Sequence, residues 1–219
     1  MEPGRALPAW MRPGEPKLQA YAGLLATVGT ERGLIGPREV PRLWDRHLLN
    51  CAVVANPELP LVPSGARVAD IGSGAGLPGI VWAIVRTDVH VVLIEALLRR
   101  ATFLEEVVEA LGLQDRVEVV RARAEECAAN PAWRRADVVT ARAVAPLPAL
   151  LEWMLPLMAP EGVALALKGA RAAQEVQSVL ESQSGATDAD VIALSIESVG
   201  EGIVDPPTTV VVARAGTAQ

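Results

Sequence analysis

The residues whose types and spacing best suit chemistry are Asp70-Ile71-Gly72-Ser73-Gly74-Ala75-Gly76-Leu77, followed at a distance by Glu95. Asp70, Gly72, Ser73, Gly74, Gly76 and Leu77 lie between a short apolar run and an apolar helical pattern, which reads as strand, tight turn and helix start. Glycines in such a turn accept φ > 0 and let backbone approach a ligand closely, because no Cβ stands in the way. Pro78 suits the first helical turn, and amides at a helix start can hold a carboxylate or phosphate. Glu95 closes the next apolar run, Val89–Glu95, where an acid can accept hydrogen bonds from ribose hydroxyls.

Two ligand classes fit the loop. From Gly72 it is G-x-G-x-G preceded by an acid, the pattern of class I S-adenosylmethionine methyltransferases. From Gly74, Gly74-Ala75-Gly76-Leu77-Pro78-Gly79 matches the dinucleotide fingerprint G-x-G-x-x-G. The elements around the loop separate the two. Apolar spacing predicts helices over Lys17–Val28 and Arg38–Ala55, with a Pro/Gly-rich linker through Pro57, Pro60, Pro63 and Gly65. Beyond it, strands at Val68–Ile71, Val89–Ile94, Val117–Arg121, Asp137–Ala141 and Gly162–Lys168 alternate with helices at Pro78–Val85, Leu97–Leu111, Leu147–Met158 and Gln174–Leu180. Val191–Ser195 and Thr208–Ala213 finish the chain as a hairpin at one sheet edge. The alternation implies a mostly parallel, Rossmann-like α/β sheet with an antiparallel C-terminal strand. A dehydrogenase needs a second nucleotide-binding half or a substrate domain, and little chain remains for either. The expected organisation is a flexible N-terminus over 1–16, a helical cap over 17–62 and a methyltransferase domain over 63–219.

The chain has 219 residues, 51% of them hydrophobic, and a mean hydropathy of +0.29, enough for a substantial core. No apolar run reaches the length of a membrane span, and Met1–Pro16 lacks the apolar stretch of a signal peptide. Cys51 and Cys127 offer neither metal spacing nor a disulfide framework and read as small buried residues. These features predict a cytoplasmic protein without a metal. The net charge of −6 argues against a strongly basic surface, although a local patch can still bind RNA. Of the 20 basic residues only Lys17 and Lys168 are lysines, which singles out Lys168 at the end of a strand.

Leu43-Trp44-Asp45-Arg46-His47-Leu48-Leu49-Asn50, D-I-G-S-G-A-G-L-P-G-I (70–80), R-A-R-A-E-E (121–126), T-A-R-A-V-A (140–145) and A-L-K-G (166–169) occur in order. Together they resemble the bacterial 16S rRNA guanine-N7 methyltransferase family (RsmG or GidB, glucose-inhibited division protein B), over about residues 18–214. The resemblance implies transfer of the methyl of S-adenosylmethionine to the guanine at position 527 of 16S rRNA, near the decoding centre, leaving S-adenosylhomocysteine. Loss of that methyl is linked in the family to low-level streptomycin resistance. The partners implied are 16S rRNA or the small ribosomal subunit, with the enzyme a monomer.

Carried over by motif, the donor site comprises Gly72, Leu77, Glu95, Ala124, Glu125 and Arg142, while Arg123, Arg142 and Lys168 match basic positions near RNA or donor. Guanine N7 carries a free lone pair, so attack on the sulfonium methyl removes no proton. No acid–base catalyst is assigned; Arg142 and Lys168 are expected to orient and anchor. His47, on an apolar helix face, reads as a packed, hydrogen-bonded residue rather than a catalyst, and Trp44, Trp82 and Trp153 read as packing. The alternatives are methylation of a different acceptor on the same fold, since acceptors are chosen by cap and loops, and a non-catalytic RNA-binding module.

Overall fold

The computed structural model describes residues 7–182 and 192–215. Its centre is a seven-stranded sheet of β1 (Arg67–Ile71), β2 (His90–Ile94), β3 (Val117–Val120), β4 (Ala136–Arg142), β5 (Met158–Lys168), β6 (Ile192–Val199) and β7 (Thr208–Ala215). The spatial order is β3-β2-β1-β4-β5-β7-β6. The first five strands are parallel, and β7 runs antiparallel between β5 and β6. This bears out the expected parallel sheet closed by an antiparallel hairpin.

Register places the chemistry. Ile71 pairs with Ile94 on one side and Ala141 on the other, and Ile94 pairs with Val120. Arg142 pairs with Leu167, and Lys168 with Thr209. Strand ends therefore align, and Gly72, Glu95, Ala122, Arg142, Lys168 and Thr208 emerge along one edge. In an open parallel sheet that carboxyl edge, at the point where strand order reverses, is where ligands bind.

Successive side chains of a strand point to opposite faces. Val68, Val91 and Val138 face one core, with α3 (Gly79–Val85) and α4 (Leu98–Ala110) packed against it; Ala69, Val92 and Val139 face the other, beneath α5 (Ala124–Ala129), α6 (Leu147–Met154) and α7 (Ala172–Ser182). The N-terminal segment joins the first core through Met11, Leu18, Tyr21, Leu25 and Leu48, all fully buried. Trp82, also fully buried, donates its indole N–H to Cys51 O at 2.8 Å.

Four expectations are corrected. Ala9–Gly14 is a 3₁₀ helix with Met11 buried, not part of a loosely attached lead-in, because Met11 and Leu7 supply apolar area that the sheet face needs; residues 1–6 lie outside the described residues. Helix α1 starts at Glu15 and passes at Leu25–Gly29 into a wider π turn. Arg38–Ala55 is not one helix. It runs as a 3₁₀ turn (Pro37–Arg42), a π-helical stretch (Leu43–Leu49), the short α2 (Asn50–Ala52) and another 3₁₀ turn (Val53–Ala55), since Pro41 lacks the N–H that a continuous α-helix requires. Finally, α6 ends at Met154, a 3₁₀ turn at Leu155–Leu157 contains Pro156, and β5 begins already at Met158.

Candidate active site

The glycine turn is built as its sequence demands. Gly72, Gly74 and Gly76 have φ of 62°, 58° and 99°, values that L side chains rarely adopt. Gly72 also lies under Val144: a Cβ there would stand 3.0 Å from a Val144 methyl. Most of the turn's amides are spent on the protein itself. Ser73 N donates to Ile94 O, Gly74 N to Glu95 Oε2, and Gly76 N and Leu77 N to Ser73 O. Gly79 N, at the start of α3, donates to Asp70 Oδ2 at 2.9 Å. The expectation that the helix-start amides receive a ligand's carboxylate or phosphate is thus corrected: the loop offers a ligand its closely approachable backbone surface instead.

Glu95 is 4% exposed, accepting Gly74 N at 3.0 Å on one carboxylate oxygen and Leu97 N at 2.9 Å on the other. Each oxygen keeps a further lone pair, and Glu95 lines a cleft of ≈ 570 Å³ over the ends of β1, β2 and β4. Gly72, Ser73, Gly74, Leu77, Ala124, Glu125, Arg123 and Arg142 line the same cleft. Asp70 and Gly76 do not. Asp70 lies fully buried beneath the turn, and Gly76 faces Ile80 and the Tyr21 hydroxyl. Both shape the loop from behind. Ser73 also lines the cleft, with its hydroxyl donating to Asp70 O at 2.8 Å.

A second cleft, ≈ 860 Å³, opens over the ends of β4, β5 and β7. Arg46, Arg142, Lys168 and Arg171 line it together with the single acid Glu175. Arg142, Ala143 and Val144 line both clefts and form the rim between them. Ala143 has φ of 56°, the one positive φ outside glycine among the described residues. Such a backbone persists only where its surroundings fix it. Here Lys168 Nζ donates to Ala145 O at 2.7 Å and pairs with Glu175 at 2.7 Å, and Glu175 accepts Leu147 N at 2.6 Å.

The Arg142 side chain is fixed from the cap. It donates to His47 Nδ1 through Nη2 and to Cys51 Sγ at 3.2 Å through Nη1. His47 Nε2 lies 3.0 Å from Glu39 Oε2, and Glu39 also pairs with Arg46 at 3.1 Å. Asn50 Oδ1 accepts Thr208 Oγ1 at 2.7 Å, tying the cap to β7 beside the second cleft.

Two adjoining clefts at the carboxyl edge, one walled by a glycine turn and an acid and the other basic, suit a nucleoside donor and an anionic polymer. The family described as GidB, rRNA small subunit methyltransferase G, matches residues 14–202. The chain belongs to this family. It is 57% identical over 198 residues to a ribosomal RNA small subunit methyltransferase G of Thermobifida fusca, a match covering 90% of this chain and 78% of that protein. It is 52% identical to one of Mycolicibacterium gilvum, covering 90% and 83%. It is therefore an S-adenosylmethionine-dependent methyltransferase of small-subunit rRNA. The fold is similar to crystal structures of cofactor-bound Rv0187 from MTB, with a TM-score of 0.58, 19% identity and coverage of 93% of this chain and 91% of that one, and of a methyltransferase from Geobacter sulfurreducens, with a TM-score of 0.52, 19% identity and coverage of 91% and 88%.

The methyl donor's chemistry fits the first cleft. Glu95 presents carboxylate oxygens of the kind that ribose hydroxyls require, the loop Cα surface admits close approach, and Leu97 offers an exposed apolar side chain beside Glu95. No group of three or more metal-ligating side chains occurs among the described residues, and no described helix is long and apolar enough to cross a membrane.

Several lining residues escaped the sequence: His47, Leu34 and Ile35 from the cap, Trp153, and the pair Ala143-Val144. His47 is packed and hydrogen-bonded as expected, but it also faces the crevice. Only the W-D-R-H motif signalled it.

Proposed function

We propose that the enzyme methylates N7 of a guanine in 16S rRNA, at family position 527, with S-adenosylmethionine in the first cleft and the target nucleoside in the second. The observation that carries this reading is the shared rim: Arg142, Ala143 and Val144 line both clefts, so a donor and an acceptor occupying them meet there. When bound, S-adenosylmethionine supplies an electrophilic methyl on sulfonium. The protein's own work is alignment. Glu95 holds the ribose end, Gly72 lets the backbone come close, and Ala124 and Glu125 close the wall after β3. Arg142 anchors an oxyanion at the rim, a donor carboxylate or an RNA phosphate. Lys168 orients the Ala143–Ala145 segment through Ala145 O, Arg171 borders the RNA path, and Arg123, which lines the first cleft, stands on the donor side.

Positioning of this kind can lower a barrier by about 7–11 kcal/mol. N7 needs no general base, and a cation aimed at N7 would oppose the positive charge developing on the base, so Arg142 serves as an anchor and Lys168 as a group that positions the rim. Four cations against one acid in the second cleft make it locally basic on a chain of net charge −6, which suits a single-stranded or splayed RNA segment. Such an enzyme acts in the cytoplasm, where ribosomal subunits are assembled.

The test is to incubate the protein with labelled S-adenosylmethionine and small subunits from cells lacking this methylation, then map modified nucleosides by mass spectrometry. A single 7-methylguanosine in 16S rRNA, lost with Glu95→Ala, is the expected result. Donor binding without transfer to particle or naked RNA would redirect the search to another acceptor.

A further inference from the structure

Arg142 is the one cation among the described residues that lines both clefts. A half-buried arginine side chain at a rim has many rotamers, and an anchor is effective only if it is held in one of them before its ligand arrives. Here the holding groups come from the cap, more than ninety positions earlier in the chain. They are Cys51 Sγ and, more directly, His47 Nδ1.

An imidazole nitrogen accepts a hydrogen bond only when it carries no proton. Arg142 has only donors, so its contact with Nδ1 assigns the neutral tautomer with the proton on Nε2, which then donates to Glu39 Oε2 at 3.0 Å. The π-helical stretch Leu43–Leu49 presents His47 to the crevice, its side chain only 12% exposed. Glu39, itself held by Arg46, thus fixes the histidine tautomer, and the histidine fixes the guanidinium.

We infer that His47, backed by Glu39, is a positioning residue for methyl transfer: it holds the Arg142 guanidinium on the rim, where that cation binds an oxyanion of donor or RNA. The inference rests on the functional reading above and deepens it.

The arrangement has a pH signature. Burial and the facing Arg142 hold the His47 pKa below its ordinary value, against the opposing Glu39 hydrogen bond. The groups facing His47 are Glu39 and Arg46 from the cap and Arg142 from β4; Cys51 and the buried Asp70 lie behind Arg142, and Arg42 lies near Glu39. Once protonated, Nδ1 becomes a second donor and a second positive charge against Arg142, and the guanidinium is released. Activity therefore falls on the acid side, below the ordinary histidine range of about 6.5.

The test compares wild type, Arg142→Ala, His47→Ala, His47→Asn and the double variant His47→Ala/Arg142→Ala, using small subunits and labelled S-adenosylmethionine between about pH 5 and 8. Asn places an amide oxygen near the position of Nδ1 that accepts at every pH in this range. His47→Ala is expected to lower kcat/KM at least about tenfold, with His47→Asn recovering most of it and losing the acid limb. The double variant should be no worse than Arg142→Ala, the non-additivity of residues acting as a unit. A loss in donor affinity assigns the anchored oxyanion to the donor, and a raised KM for the subunit assigns it to RNA; either supports the proposal. Wild-type activity in His47→Ala beside an inactive Arg142→Ala overturns the proposal and leaves the functional reading standing. An unimpaired Arg142→Ala overturns both the proposal and the rim-anchor assignment. If His47→Ala fails to fold, His47→Asn decides: an unchanged acid limb sinks the idea.

Discussion

Asp70 Oδ2 accepts the Gly79 amide at 2.9 Å beneath the glycine turn, while Asp70 Oδ1, equally buried, has no hydrogen-bond partner. The acid of the D-x-G-x-G-x-G motif thus acts as a strut that fixes the start of α3 to the end of β1. Burial raises its pKa from 3.8 to about 7, against the lowering effect of the Gly79 hydrogen bond.

A carboxyl whose folded pKa is raised holds its proton more tightly in the native state than in the unfolded one. Its contribution is fully present below the unfolded pKa of 3.8 and is lost as pH rises through about 7. The full difference is about 4 kcal/mol. Asp70→Asn removes the titration while keeping a carbonyl for Gly79 N. Urea unfolding at a series of pH values should show the wild type losing stability between about pH 4 and 7 relative to the variant. Parallel pH profiles for the two proteins would count against the buried-acid account.

Two glycines separate steric need from mere tolerance. A Cβ on Gly79 would stand 2.4 Å from Leu93 Cδ2 and 2.7 Å from Asp70 Oδ2, whereas one on Gly23, exposed in α1, meets nothing within 4 Å. Gly79→Ala should therefore destabilise by about 1–3 kcal/mol through overpacking, and Gly23→Ala should stabilise by up to about 1 kcal/mol through helix propensity. Thermal melts of the two variants check both signs, and equal shifts would show that the contact at Gly79 relaxes away.

The sheet was legible because its signals are local. Val68–Ile71 or Val89–Ile94 is an apolar run closed by a turn, and each of the first five strands is followed by a helix. The wall of the first cleft was legible for the same reason, as glycine spacing and the acid after β2 are written within 26 residues of each other. The rim was not. His47 and Arg142 meet only because the cap lies on the sheet's edge, and the strained Ala143 carries no glycine to announce it. Nor could periodicity show that residues 43–49 adopt a π-helical winding, which depends on packing rather than on the apolar pattern. Asp70 and Gly76 belong to the motif yet lie behind the turn, since a motif names residues that build a loop as readily as those that line a cleft.

Glu95 carries the Gly74 and Leu97 amides, and under the proposed function it also takes the ribose end of the donor. Hydrogen bonds to a charged group contribute about 1.5–3 kcal/mol each, so Glu95→Ala should weaken S-adenosylmethionine binding at least about tenfold. RNA binding should be unaffected, because Glu95 is absent from the second cleft. Calorimetric titration of the donor, beside RNA binding by filter retention, reads the two separately. Donor affinity equal to wild type would remove Glu95 from the site.

The cations of the second cleft are not equivalent. Arg171 is exposed, whereas Lys168 is half-buried, with its ammonium on Glu175 and Ala145 O. An exposed cation that neutralises a phosphate releases counterions, and for single strands each such contact adds about 0.7 to the slope of log affinity against log salt. Arg171→Ala should therefore reduce that slope by about 0.7 while leaving turnover at saturating RNA near wild type. Lys168→Ala should do the reverse. With its ammonium already opposite Glu175, the lysine adds little to phosphate binding, but its loss frees the strained Ala143–Ala145 segment and misaligns the rim, so kcat falls with little change in slope. RNA binding measured across a salt series, with single-turnover rates for the same variants, distinguishes the two roles. Equal slope changes in both variants would place Lys168 on the RNA directly and leave the rim to be held by Glu175 and the backbone alone.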